Sequence, residues 1–207
     1  MKIKVCGLSS EDNIKEVVGL EPDLIGFIFY PPSPRYVVDK VDPLKLTGLG
    51  DNVLKTGVFV NADFYEISGI FWKYNLDIVQ LHGDESPALC EQLKDTGIKT
   101  IKAFSLHEEF DFEIMMDYIP YCKYFLFDTQ TKYRGGSGKK FNWEIIRKYE
   151  LGHPFFLSGG IAPGDAREIL SITHPSLAGV DVNSRFEKSP GIKDIGKLKQ
   201  FFNDLKK

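Results

Sequence analysis

The 207-residue sequence predicts an α/β fold, a closed (β/α)8 TIM barrel, on three observations. Eight short runs rich in β-branched and aromatic residues alternate with segments of helical period. Those runs are almost continuously apolar, as strands covered on both faces must be. Eight strand–helix units in this length average about 26 residues each, the lower limit for a barrel, whereas an open doubly wound sheet usually has five or six strands.

The strand runs are Ile3–Cys6, Leu24–Phe29, Lys55–Val60, Ile78–Leu81, Thr100–Phe104, Tyr124–Phe127, Pro154–Leu157 and Ala178–Val182. After the first, Ser9-Ser10-Glu11-Asp12 offers a cap and first-turn acids ahead of Ile14, Val17 and Val18. The second connection, Asp42 to Leu49, is a weak helix, short and interrupted by Pro43 and Gly48. Phe64, Ile67, Phe71 and Tyr74 recur at helical spacing after the third run, so they face the sheet. Ser86-Pro87 sets a cap residue before a proline at the first helical position. Asn142 is placed to cap the segment with Ile145, Ile146 and Tyr149, and Ile195, Leu198, Phe202 and Leu205 form the stripe of the last helix. No linker or shift in composition divides the chain, which predicts one domain over residues 1–207.

Composition narrows the function. With 26 Lys+Arg against 29 Asp+Glu the net charge is −3, without the positive footprint of a general nucleic-acid binder. The longest apolar run, Leu24 to Tyr30, is far too short to span a bilayer, and the start lacks a signal-peptide core. Three cysteines, Cys6, Cys90 and Cys122, and four histidines show no zinc-ligand spacing and no disulfide framework. A reduced, cytoplasmic protein without a metal is the expectation.

In such barrels chemistry sits at the C-terminal ends of the strands and in the loops beyond. Cys6 and Asp128 are the sharpest pair there: a thiol and a carboxylate on different strands can serve a base and an acid to opposite sides of a small substrate. Taken singly, Cys6 reads more readily as a buried structural cysteine, and Asp128 equally as a helix-capping or turn aspartate. Arg35 follows three prolines within four residues, a rigid spacer that aims a guanidinium at a carboxylate, or else leaves it in a surface ion pair. Gln80 and His82 end the fourth strand; His82 is either a ligand contact or a hydrogen-bonded loop histidine. Lys102 reads as a Schiff-base lysine or, more readily, as one paired with a carboxylate.

Ser158-Gly159-Gly160 after the seventh strand and Asn183-Ser184 after the eighth fit a phosphate cradle. Arg134-Gly135-Gly136-Ser137-Gly138-Lys139-Lys140 is not a Walker A loop, because Tyr133 stands at the early glycine and Lys140 where Ser or Thr is required. Residues 129–141 read instead as a lid with glycine hinges.

These residues, taken in order, resemble a known family. Lys4-Val5-Cys6-Gly7, Gly26-Phe27-Ile28-Phe29, Ser33-Pro34-Arg35, Gly57-Val58-Phe59-Val60-Asn61, Val79-Gln80-Leu81-His82-Gly83, Phe127-Asp128, Gly135-Gly136-Ser137-Gly138, Leu157-Ser158-Gly159-Gly160 and Gly179-Val180-Asp181-Val182 together resemble the phosphoribosylanthranilate isomerases of tryptophan biosynthesis. The match runs from residue 3 to about residue 194. The resemblance implies an Amadori rearrangement with Asp128 as general acid, Cys6 as general base and Arg35 on the anthranilate carboxylate. It adds Gln80, His82 and Asp181 as substrate contacts, and Ser158, Gly159, Gly160, Asn183, Ser184 and Arg185 around the phosphate. It implies no cofactor, and a small phosphoribosyl substrate bound by a monomer or homodimer. Two positions depart from the commoner pattern: Arg185 stands where glycine is usual, and Asp165 where asparagine is frequent. Two competing readings are a phosphosugar-binding barrel without chemistry and a neighbouring enzyme such as indole-glycerol-phosphate synthase, for which only Lys102 is suggestive.

Overall fold

A computed structural model describes residues 1–50, 52–129 and 143–206. Eight parallel strands close in sequence order: β1 (Lys2–Val5), β2 (Leu24–Ile28), β3 (Leu54–Phe59), β4 (Ile78–Leu81), β5 (Thr100–Leu106), β6 (Tyr124–Thr129), β7 (Phe155–Ser158) and β8 (Leu177–Val182). β8 pairs back onto β1, Lys4 opposite Asp181 and Val5 opposite Val182, so no edge is left open. The eight expected runs are all strands, shifted by a residue or two at most ends.

Side chains alternate between two destinations. Ile3, Val5, Phe27, Phe59, Phe125 and Phe127 leave the barrel and pack under the helices in the larger core. There Phe127 stacks on Phe155 with ring centroids 4.3 Å apart. Leu24, Ile78, Ile101, Ala103, Leu126 and Phe156 form a separate inner cluster. Each fully buried Leu or Phe contributes roughly 1.5–3 kcal/mol, so both layers matter to stability. Lys4 sits beside Leu24 on one flank and Asp181 on the other, hence in the same inward phase.

The helices follow the strands: α1 (Glu11–Val18), α2 (Pro43–Thr47), α3 (Phe64–Lys73), α4 (Pro87–Asp95), α5 (Ala166–Leu170) and α6 (Ile195–Leu205). Ser86 caps α4 by accepting from Leu89 N at 3.4 Å, and Ile67 and Phe71 bury the inner face of α3. Ser10 occupies the N-cap of α1 without a side-chain capping bond, contrary to the expected cap. The Ile145–Ile146 segment, Trp143–Lys148, is a tight 3-10 helix rather than an α-helix, as is Phe112–Tyr118 after β5. Adjacent β-branched residues in six positions give an α-helix little to propagate. A hairpin absent from the expected pattern, β9 (Glu187–Ser189) and β10 (Ile192–Lys193), follows β8 and turns at Gly191, whose φ is +86°. The proposed lid, apart from Thr129, and the Asn142 cap lie outside the described residues. Among the described residues no helix is long and apolar enough to cross a membrane.

Candidate active site

Cys6 follows the last residue of β1 and is fixed by its own backbone, whose N–H donates to Val182 O at 2.9 Å. Two residues earlier on the same face, the Lys4 ammonium meets Asp181 Oδ1 at 3.0 Å, with side-chain exposures of 0% and 6%. Burial pushes the Cys6 thiol up; the Lys4 ammonium pulls it down, Asp181 pushes it up again, and the net direction is upward. Burial alone lowers Lys4, but the charges of Asp181 and Cys6 outweigh it and keep the ammonium charged. Burial likewise raises Asp181, which Lys4 pulls back. The sequence reading missed Lys4, although its phase was legible: it lies two residues before Cys6 on a strand.

Arg35 reaches the same corner from the proline-rich loop after β2. Its Nε and Nη2 donate to the two oxygens of Glu187 at 2.9 and 2.6 Å, an intramolecular ion pair beside the mouth. Glu187 lies on the unforeseen hairpin and also accepts from Lys193 Nζ at 2.8 Å. Lys193 in turn donates to Asn183 Oδ1 at 2.7 Å. Gly7, at φ +78°, permits this approach, since a Cβ there would lie 2.6 Å from Asn183 Oδ1 and 2.7 Å from Arg35 Cδ.

Across the mouth, Asp128 Oδ2 lies 3.1 Å from His82 Nε2, and His82 Nδ1 lies 3.0 Å from Gln80 Nε2. His82 is therefore a hydrogen-bonded histidine that also faces the cavity. Two proton arrangements fit these distances. With Gln80 Nε2 donating, His82 carries its proton on Nε2. With the amide turned half a turn, Oε1 accepts from Nδ1, and one further proton is shared between Nε2 and Asp128. Among the described residues, Gln80 Oε1 is buried without a hydrogen-bond partner.

Ser158, Gly159 and Gly160 leave β7 with φ of +86° and +68° at the two glycines, and Asn183 and Ser184 leave β8 alongside. The segment beyond Gly160 enters a single 3-10 turn (Pro163–Asp165) and then α5, five residues long. Lys102 takes the paired reading: its ammonium meets Glu85 Oε2 at 3.0 Å. Glu85 also accepts from the N–H groups of Asn61 and Gly83, tying together the loops after β3 and β4.

One cavity of about 210 Å³ gathers Cys6, Gln80, His82, Asp128, Ser158, Gly159, Gly160, Asp181, Asn183 and Ser184. Of the residues expected in the site, Arg35 and Arg185 are not in its lining. Arg35 stands at the rim beside Gly7, and Arg185 is an exposed residue of the 3-10 turn after β8. Thiol and carboxylate thus face one space from β1 and β6, which suits proton transfer at two points of a ligand.

Residues 3–204 match the family model described as N-(5'phosphoribosyl)anthranilate (PRA) isomerase. The chain is 45% identical to the N-(5'-phosphoribosyl)anthranilate isomerase of Parabacteroides distasonis, over 99% of this chain and 93% of that protein. It superposes on the crystal structure of phosphoribosyl anthranilate isomerase from Thermotoga maritima with a TM-score of 0.86 and 33% identity, covering 100% of this chain and 98% of the other. A second isomerase crystal structure, in complex with reduced 1-(o-carboxyphenylamino)-1-deoxyribulose 5-phosphate, gives a TM-score of 0.83 at 30% identity, covering 100% and 98%.

Proposed function

The chain belongs to the N-(5'-phosphoribosyl)anthranilate isomerase family of tryptophan biosynthesis, and from that premise we propose how its own residues divide the Amadori rearrangement. The observation that carries the assignment is that Cys6 and Asp128 line one cavity together with Ser158–Gly160 and Asn183–Ser184.

Asp128 gives a proton to the ribose ring oxygen, the C1′–O bond breaks, and the anilino nitrogen's lone pair forms the C1′=N Schiff base. The turned arrangement of Gln80 supports this role, because it leaves a transferable proton between His82 Nε2 and Asp128 Oδ2. Cys6 as thiolate then removes the C2′ proton, and its electron pair becomes the C1′=C2′ double bond of an enamine. Tautomerisation to the ketone completes the isomerisation. The buried Lys4 ammonium beside Cys6 favours the anionic form that this step needs.

Ser158, Gly159, Gly160, Asn183 and Ser184 line the β7–β8 side of the cavity, which suits the 5′-phosphate. Arg35 takes the ring carboxylate from the rim, and Gln80 and Asp181 contact the sugar. The exposed Arg185 reaches the phosphate only from outside the cavity. The enzyme is proposed to work as a single-domain cytoplasmic protein, a monomer or homodimer. The direct test is the decay of phosphoribosylanthranilate fluorescence on adding purified protein: loss of signal proportional to enzyme supports the reading, and a rate equal to the protein-free control overturns it.

A further inference from the structure

Arg35 arrives at the mouth with two of its five side-chain N–H donors already engaged. Nε and Nη2, its side-on fork, both bond to Glu187. Glu187 Oε1 also takes Lys193 Nζ at 2.8 Å and Gly191 N at 3.1 Å. Two cations therefore share one anion, with side-chain exposures of 19% for Arg35, 5% for Glu187 and 0% for Lys193. Burial lowers Lys193 and the Glu187 bond pulls it back, so taking Glu187 away would strand a buried ammonium. The opposite, end-on fork of the guanidinium, Nη1 with the second hydrogen of Nη2, makes no hydrogen bond among the described residues. A guanidinium presents either fork to a carboxylate bidentately.

Lys193 acts on the neighbouring loop as well. An ammonium has only donors, so Asn183 must turn its Oδ1 toward Nζ. That leaves amide N–H groups as the remaining polar function of a residue that lines the cavity. Burial pushes Glu187 up, but the hydrogen bonds from Arg35 and Lys193 overcome it and hold its carboxyl below the usual range. The Glu187 bond in turn raises Arg35.

We infer that Glu187 and Lys193 are positioning residues for substrate selection: Glu187, itself held by Lys193, keeps Arg35 side-on so that its end-on fork meets the ring carboxylate, and the site thereby prefers an aromatic amine bearing an ortho carboxylate over its uncharged counterpart. The inference rests on Arg35 being the carboxylate clamp. It gives a role to a hairpin whose strands are only three and two residues long: its two ends, Glu187 and Lys193, hold Arg35 and the β8 loop in one network.

The test is a calorimetric titration with two probes, reduced 1-(o-carboxyphenylamino)-1-deoxyribulose 5-phosphate and the same molecule with a phenyl ring lacking the carboxylate. The ratio of their Kd values measures carboxylate selection in the unmodified enzyme, in Arg35→Ala, in Glu187→Gln and in the pair Glu187→Gln/Lys193→Met. The last variant removes the unpaired buried lysine, in case Glu187→Gln alone does not fold. Loss of one charge-assisted contact predicts that Glu187→Gln, or the pair, lowers the ratio at least about tenfold, through weaker binding of the carboxylate probe with the phenyl probe nearly unchanged. Adding Arg35→Ala to Glu187→Gln/Lys193→Met is expected to lower the ratio no further than Arg35→Ala alone. If Arg35→Ala collapses the ratio and both Glu187 variants keep it, the positioning role is overturned while the clamp stands. If Arg35→Ala itself keeps the ratio, the clamp is overturned and this inference with it.

Discussion

The two sides of the barrel mouth solve the same problem with different physics. On the β1–β8 side Cys6 sits among buried charges: Lys4 against Asp181 below it, and Arg35, Glu187 and Lys193 beside it, all but Arg35 nearly closed to solvent. On the β4–β6 side Asp128 belongs to a single chain of hydrogen bonds, Gln80 to His82 to Asp128, whose last two side chains remain 32% and 26% exposed. A thiol that must become an anion in an apolar barrel needs fixed cations close by. A carboxyl that must deliver a proton needs a partner able to return it, and a partly wet imidazole serves. On the roles we propose, the base side is thus built into the fold, whereas the acid side is laid over it.

That contrast predicts different failures. Asp128→Asn should lower kcat by roughly 10²–10⁴-fold, the range for a lost general acid, while the Kd for the reduced product analogue and the melting temperature change little. A fall in melting temperature as large as that from a base-side substitution would erase the distinction between the two sides. Lys4→Met should act in reverse order. It strands Asp181 in the barrel interior and costs about 3–5 kcal/mol of stability, read by urea unfolding, before any activity is measured. Stability within about 0.5 kcal/mol of the parent would place Lys4 outside the structural frame of the base side.

Arg35→Ala is the smaller perturbation, because its site is at the rim. Affinity for the reduced product analogue should weaken by about 1.5–3 kcal/mol, with only partial rescue by Arg35→Lys, which cannot make a fork. The smallest effect is on the pH profile. Burial raises the Cys6 thiol, so with Cys6 as the proposed base kcat/KM should rise with pH until the thiol ionises. Asp181→Asn removes a neighbouring negative charge and should shift that rising limb to lower pH; an unchanged limb would mean that Cys6 is not the group titrating.

Much of this was legible in the residues. The eight strands announced themselves because parallel barrel strands are apolar on both faces, and the strand ends then exposed Cys6, His82, Asp128, Ser158 and Asn183 as a set. The charged frame was not legible as a frame. Lys4, Glu187 and Lys193 are ordinary charged residues in sequence, and only barrel closure sets Lys4 against Asp181, 177 positions away. Pro190-Gly191 carries a turn signal that the sequence reading did not use, and Glu187-Lys188-Ser189 has no strand-like apolar character, so the hairpin stayed hidden. Of the two readings of Arg35, the ion pair is present on one fork, with Glu187, and the carboxylate clamp is what we propose for the other.

The division of labour itself is open to one direct measurement. Trapping with cyanoborohydride during a single turnover reduces any ring-opened Schiff base to a stable secondary amine, which mass spectrometry quantifies against a protein-free control. Cys6→Ser retains the acid and lacks the base, so it should accumulate trapped amine well above that control; Asp128→Asn retains the base and lacks the acid, so it should match the control. Accumulation in Asp128→Asn, or none in Cys6→Ser, would contradict the assignment of ring opening to one side of the mouth and proton abstraction to the other.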